Sequence, residues 1–165
     1  MRISVKCSSA VHILLMITVL SSYQKVTSDS LASSVGCNPV EVRKLFGALK
    51  KAGIIDVERG PGGATLKKEP KDISLLDIYV AVDPASLNEL IGIHTHASDY
   101  CLFGKNIRNV LANPYAEIGN AVRDKMASIT LEALLERLFK LEPSIYEHYK
   151  KSMPKWQPET AGLGT

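Results

Sequence analysis

The sequence predicts a mainly α fold with a small β-hairpin wing: a winged helix-turn-helix followed by a long helix suited to dimerisation. Three observations carry that reading. A basic helix capped at Asn38-Pro39 follows a shorter helix through a glycine turn at Gly36. Two short strand-like runs flank the glycine-rich stretch Arg59-Gly60-Pro61-Gly62-Gly63. Further on, Tyr115, Ile118, Val122, Met126 and Ile129 form the narrow apolar stripe of a helix-helix seam.

Composition sets the frame. With 165 residues, 45% hydrophobic and 22% charged, the chain can bury a core and has no bias towards disorder. The net charge of +3 conceals an asymmetry, since residues 1–70 hold ten Lys/Arg against five Asp/Glu, whereas 71–165 hold ten against twelve. A basic N-terminal half is compatible with a polyanion partner and equally with a solvated surface. The three cysteines, Cys7, Cys37 and Cys101, are odd in number and far apart, so they define no disulfide framework and no CxxC metal pair. A reducing cytoplasm is the simplest home for them.

The first element is a helix over about Ser8 to Ser22. Arg2 and Lys6 ahead of the apolar run Ala10 to Leu20 imitate a secretory leader. That run is shorter than the roughly 20 apolar residues a bilayer span needs, and no Ala-x-Ala cleavage pattern follows. A buried helix is the better reading. Being apolar nearly all round, it must be covered on several sides, as between its own domain and a dimer partner.

Capping residues Thr27 to Ser30 then open a short helix that Gly36 terminates. Asn38 is a good N-cap, Pro39 fits the first helical position, and Glu41 sits where a capping box places its acid. Val42, Leu45, Phe46 and Leu49 make one apolar stripe, which turns Arg43, Lys44, Lys50 and Lys51 outward. Ile54 to Glu58 and Ala64 to Lys67 read as the strands of a hairpin. Its tip is almost without side-chain bulk, so backbone and the single arginine Arg59 can approach another surface closely. Ile73 to Val82 reads as a short helix and Asp83 to Lys105 as a connection containing His94, His96 and Cys101. Asn113-Pro114 is expected to cap the long helix, Thr130 a last helix to about Lys140, and Pro154 to Thr165 a loose tail.

Three strings taken together, Leu49-Lys50-Lys51-Ala52-Gly53-Ile54-Ile55, Arg59 to Leu66, and Ile73-Ser74-Leu75-Leu76-Asp77-Ile78-Tyr79-Val80-Ala81-Val82, resemble the Rrf2 family of bacterial winged-helix repressors. The resemblance runs from Arg2 to about Lys140. It implies a homodimer on double-stranded DNA, with long helices from Pro114 to about Ile129 crossing one another. Recognition helices would enter successive major grooves and wings the minor groove of a palindromic operator. By the same resemblance Asn38, Val40 and Arg43 face DNA, together with Arg59 and Gly60 of the wing. Arg43 departs from the acidic residue of the iron-sulfur regulator in this family, so operator preference does not carry over. The implied organisation is a DNA-binding domain over 1–83, a connecting and sensor region over 84–112, a dimerisation helix with a short follower over 113–141, and a tail over 142–165.

Individual residues have competing readings. Arg59 on a glycine-rich tip suits a narrow, electronegative minor groove better than a solvated turn. Arg43 and Lys44 reach base edges or phosphates, or are plain helix surface; the sequence leaves both open. Cluster-binding relatives carry three cysteines in the connection before the long helix. This chain has Cys101 alone there, which excludes a three-cysteine site in that connection, and no iron-sulfur cofactor is expected. Cys101 is the candidate redox-sensing thiol. A mixed metal site from His12, His94, His96 and Cys101 matches no known spacing. No catalytic triad or phosphate-binding loop arises in a fitting context, so an enzyme is not expected. The remaining alternative is a thiol- or metal-responsive sensor acting through a protein partner, and the effector is unknown. No membrane association is expected.

Overall fold

The computed structural model describes residues 5–58, 63–83 and 91–152, with side chains as far as residue 150. Seven α-helices and one hairpin follow in the order α1 Lys6–Leu20, α2 Ser28–Val35, α3 Pro39–Lys51, β1 Ile55–Glu58, β2 Gly63–Leu66, a 3-10 turn Pro70–Asp72, α4 Leu75–Val82, α5 Leu102–Ala127, α6 Leu131–Leu141 and α7 Pro143–Ser152.

The core forms around α1, whose Ala10, Ile13, Leu14 and Ile17 are fully buried. They pack with Leu31 of α2, Val42 and Leu49 of α3, Ile55 of β1 and Ile78 of α4. Each contributing face has the helical or alternating spacing that its sequence dictates. The buried Thr18 is satisfied internally: its hydroxyl donates to the Leu14 carbonyl at 2.7 Å. A second, smaller cluster joins Val19 to Leu135, Phe139 and Tyr149. The outer side of α1 is therefore covered by α6 and α7 of the same chain, where the sequence suggested a partner.

Local signals explain the boundaries. Thr27 and Ser30 form a reciprocal capping box at α2. Gly36 ends that helix at φ 70°, a left-handed conformation that a side chain disfavours. Asn38 caps α3 by accepting the Val40 N–H at 2.8 Å. Glu41 does not complete a capping box; it pairs with Lys44 instead. The strands are antiparallel with Ile55 opposite Leu66 and Glu58 opposite Gly63. Gly63, at φ 86°, lies so close to the Val26 carbonyl that a Cβ would sit 2.9 Å from it. Ala64 N–H donates to that same carbonyl at 3.0 Å, which staples the wing to the α1–α2 loop. Arg59 and Gly60 lie outside the described residues.

Further sequence expectations need correcting. Asn113-Pro114 caps nothing: α5 is continuous from Leu102 to Ala127 with Pro114 inside it. Proline removes one helical N–H, and the good helix formers on both sides carry the helix past that defect. The expected connection 84–112 is thus helical from Leu102, and the long helix spans about 39 Å. The 142–165 tail begins with a helix, Pro143–Ser152, anchored by Tyr149 at 1% exposure; residues 153–165 lie outside the described residues. Finally, the Ile73–Val82 helix is shorter, because Ser74 caps it with a Ser74–Asp77 capping box.

Helix α5 is an arm. None of its residues is buried, and the chain just past its C-terminal end is pinned to the body. Leu75 N–H donates to Ile129 carbonyl at 2.7 Å, and Leu131 N–H to Ile73 carbonyl at 2.8 Å, forming a bridge between Ser74 and Thr130. Ile118, at 45% exposure, belongs to its uncovered apolar stripe, whereas Ile129 lies beyond the helix end.

Candidate nucleic-acid interface

Helix α3 presents its polar face outward because Val42, Leu45, Phe46 and Leu49 are consumed by the core. Asn38, Val40, Arg43 and Lys44 all lie on the exposed side. Val40 is 48% exposed, an apolar side chain held in solvent at the first turn of a capped helix. Asn38 spends its side-chain carbonyl on the helix cap, which leaves its amide group to donate elsewhere.

Three cations of this helix, Arg43, Lys44 and Lys50, are already engaged. Arg43 reaches back to the start of α2, where its Nε donates to Ser28 Oγ at 3.2 Å and its guanidinium lies 3.5 Å from Asp29. Lys44 pairs with Glu41 at 2.7 Å. Lys50 pairs with Asp56 at 2.9 Å and donates to the Val57 carbonyl at 3.1 Å, tying α3 to the wing. The hydrogen bond from Lys50 comes first among the causes that hold the Asp56 carboxyl below its usual range, followed by the Val57 amide. Exposed pairs of this kind contribute about 0–1 kcal/mol, so phosphate oxygens can replace the carboxylates at little cost. The Glu41–Lys44 pair is legible in the sequence from its i, i+3 spacing. The partners of Arg43 are not, because they come from another helix.

The cysteines and histidines are dispersed. Cys7 is half-buried in α1, Cys37 half-buried between α2 and α3, and Cys101 exposed just ahead of α5. His94 and His96 are exposed in the segment before it, while His12 of α1 pairs with Ser34 of α2 at 3.2 Å. No three His, Cys, Asp or Glu side chains converge as a metal-binding set among the described residues. Cys101 has a distinct environment. The backbone amides of Gly104 and then Phe103, at the start of α5, hold its thiol below the ordinary range, while burial and the Asp83 carboxylate push Cys7 above it.

A capped basic helix behind a glycine turn, braced by a two-stranded wing and followed by a projecting arm, defines a winged helix-turn-helix protein. A family profile described as Rrf2, iron-dependent transcriptional regulator, matches residues 3–137, and the chain belongs to the Rrf2 family. It is 38% identical over 137 residues to Bacillus subtilis YwnA, provisionally described as an HTH-type transcriptional regulator, covering 83% of this chain and 99% of that one. A crystal structure provisionally described as a DNA-binding protein aligns with TM-score 0.62 at 35% identity over 79% of this chain and 98% of that one. The fold is also shared with CymR, the global cysteine regulator of B. subtilis, at TM-score 0.61 and 21% identity over 82% of this chain and 97% of that one. The family is described as one of transcriptional regulators and YwnA is named as one, and the chain is a transcriptional regulator of this DNA-binding family rather than an enzyme. No helix among the described residues is long and apolar enough to cross a membrane.

The iron dependence in the family's description meets a poor donor set in this chain. A cluster needs several thiolates from one locality. Here the three thiols belong to three separate elements, and the segment before the arm supplies Cys101 alone.

Proposed function

We propose that this chain is a homodimeric repressor that binds a palindromic operator, with α3 in the major groove and the wing at the minor groove. The observation that carries the reading is the uncovered arm. Its Val110 and Ile118 remain 62% and 45% exposed while the chain just past its C-terminal end is pinned to the body, and a second copy crossing it would bury both stripes. Two-fold symmetry then sets the recognition helices about 34–36 Å apart, one turn of DNA. Asn38, Val40 and Arg43 face base edges, Lys44 a phosphate, and Arg59 with Gly60 the minor groove. The regulator works without an iron-sulfur cluster, with Cys101 as a redox-responsive thiol, and acts in the cytoplasm.

Light scattering on the full chain tests the assembly: a dimer is expected, and Ile118→Glu should yield a monomer with weakened operator binding. A wild-type monomer at micromolar concentration would overturn the reading. Genomic fragments selected by the purified protein supply the operator. On it, Arg59→Ala should cost on the order of 1–3 kcal/mol, and much less on scrambled duplex. Anaerobic reconstitution followed by iron analysis should give no stoichiometric iron.

A further inference from the structure

Helix α1, the C-terminal end of α2, α6 and α7 border an open cleft of about 430 Å³. That volume lies within the range of small-molecule sites, and is too small for a helix or a folded partner. Its floor is apolar, built from Leu15, Met16 and Val19 of α1 with Leu138 and Ile145 from the C-terminal helices. Its mouth carries the polar groups His12, Tyr23, Ser34 and His148. Among the described residues no Lys, Arg, Asp or Glu lines it, so none of them compensates a full charge on an occupant.

The mouth has a defined hydrogen-bonding sense. His148 Nδ1 lies 2.8 Å from the Ser144 carbonyl, which can only accept, so Nδ1 carries the proton. In the neutral ring Nε2 is then an acceptor. The Tyr23 and His148 rings stand 6.2 Å apart, tilted by 42°, and give the opening two aromatic walls. His12 Nε2, 3.2 Å from Ser34 Oγ, links the cleft to α2, whose Asp29 pairs with Arg43 of α3.

From this geometry we infer that the cleft is an effector site for a small, neutral aromatic molecule bearing a hydroxyl, of the phenol class. The ring occupies the apolar floor and the hydroxyl donates to His148 Nε2. Because the cleft is bounded by α2 on one side and by α6 and α7 on the other, occupancy changes how α2 seats on α1, and with it the affinity for DNA. This regulatory step rests on the DNA-binding reading above; the binding site itself does not.

The test uses the full chain and 4-propylphenol as probe, with propylbenzene and 4-propylbenzoate as comparators, followed through the histidine ring resonances by NMR. The phenol should give saturable shifts at His12 and His148 and bind about tenfold more tightly than either comparator, the discrimination expected of one satisfied hydrogen bond. Ser144→Trp, which plugs the mouth from an exposed position, should abolish the shifts. His148→Phe, which keeps the ring and removes the acceptor, should reduce phenol binding to the level of propylbenzene. Absence of saturable binding, or binding unchanged in both variants, would overturn the site. Saturating phenol should also change operator affinity at least about twofold in the wild type and not in the plugged variant. Phenol binding with operator affinity unchanged would overturn the effector role alone. A wild-type chain that bound no DNA would instead overturn the proposed function and leave the NMR result standing.

Discussion

The Arg43 guanidinium lies 3.5 Å from the Asp29 carboxylate, so the recognition helix is tied to the first turn of the helix before it. Asp29 is therefore a competitor for the group that the operator would engage. Replacing Asp29 with Asn should release Arg43 and remove one negative charge from the interface. Affinity for any duplex should rise, and the slope of log affinity against log salt should steepen by up to about one. Arg43→Ala should weaken operator binding by on the order of 1–3 kcal/mol and binding to scrambled duplex much less, as for a residue that reads a base; an equal loss on both would place it on phosphate instead. Fluorescence anisotropy over a salt series, on operator and scrambled duplexes, measures both. Because the pair is exposed, urea midpoints should move little in either variant.

Asn38 supports α3 by capping its Val40 amide at 2.8 Å. Asn38→Ala should cost about 0.5–2 kcal/mol in chemical denaturation, with Asn38→Ser recovering most of it. A stability unchanged within a few tenths of a kcal/mol would show that the cap is not used.

Leu49 is fully buried at the junction of α3 with the core. Truncation to Ala should cost about 2–5 kcal/mol, the range for a large-to-small change in a close-packed site. Circular dichroism during thermal unfolding follows the loss. Val40→Ala, on the opposite face of the same helix, should leave the transition nearly unmoved.

The thiols should separate kinetically. Cys101 is exposed and favoured as thiolate by the Gly104 and Phe103 amides, whereas Cys7 is disfavoured by burial and by Asp83. Iodoacetamide labelling followed by peptide mass spectrometry should therefore reach half its maximal rate at a lower pH for Cys101 than for an ordinary cysteine, and at a higher pH for Cys7. Gly104→Ala should raise the Cys101 profile, since an added Cβ would run into the Ser98 carbonyl and displace the turn that supplies the amides.

Tyr149 predicts an alkaline sensitivity. Burial, and secondarily the Glu132 carboxylate, push its phenol up to about 12. The native state keeps this proton at a pH where the unfolded chain, with a tyrosine value of about 10, has lost it. Its contribution is whole below pH 10 and is lost as pH rises from 10 to 12, amounting to on the order of 2 kcal/mol. Urea unfolding at pH 8 and pH 11 should show a smaller decline for Tyr149→Phe than for the wild type. An identical decline would mean that other groups govern it.

Local chemistry determined much of this protein directly from its sequence. The caps at Thr27 and Asn38, the turn at Gly36 and the Val42–Leu45–Phe46–Leu49 stripe act within a few residues of chain, so spacing alone locates α2 and α3 and orients Arg43 and Lys44 outward. The strands flanking the wing tip were legible for the same reason. Tertiary structure decided what depends on distant neighbours. Asn113-Pro114 has the local form of a helix start, yet the helix runs through it, because the pattern specifies a compatible position and not the state of the preceding eleven residues. The Pro143–Ser152 helix gains its place from Tyr149 packing on Phe139 and Val19, contacts with no signature in its own short segment. Asp29 is fourteen residues from Arg43, and Ser34 twenty-two from His12, so neither pairing follows from helical periodicity. Periodicity shows which way a side chain faces; only the packing of one helix on another decides what it meets there.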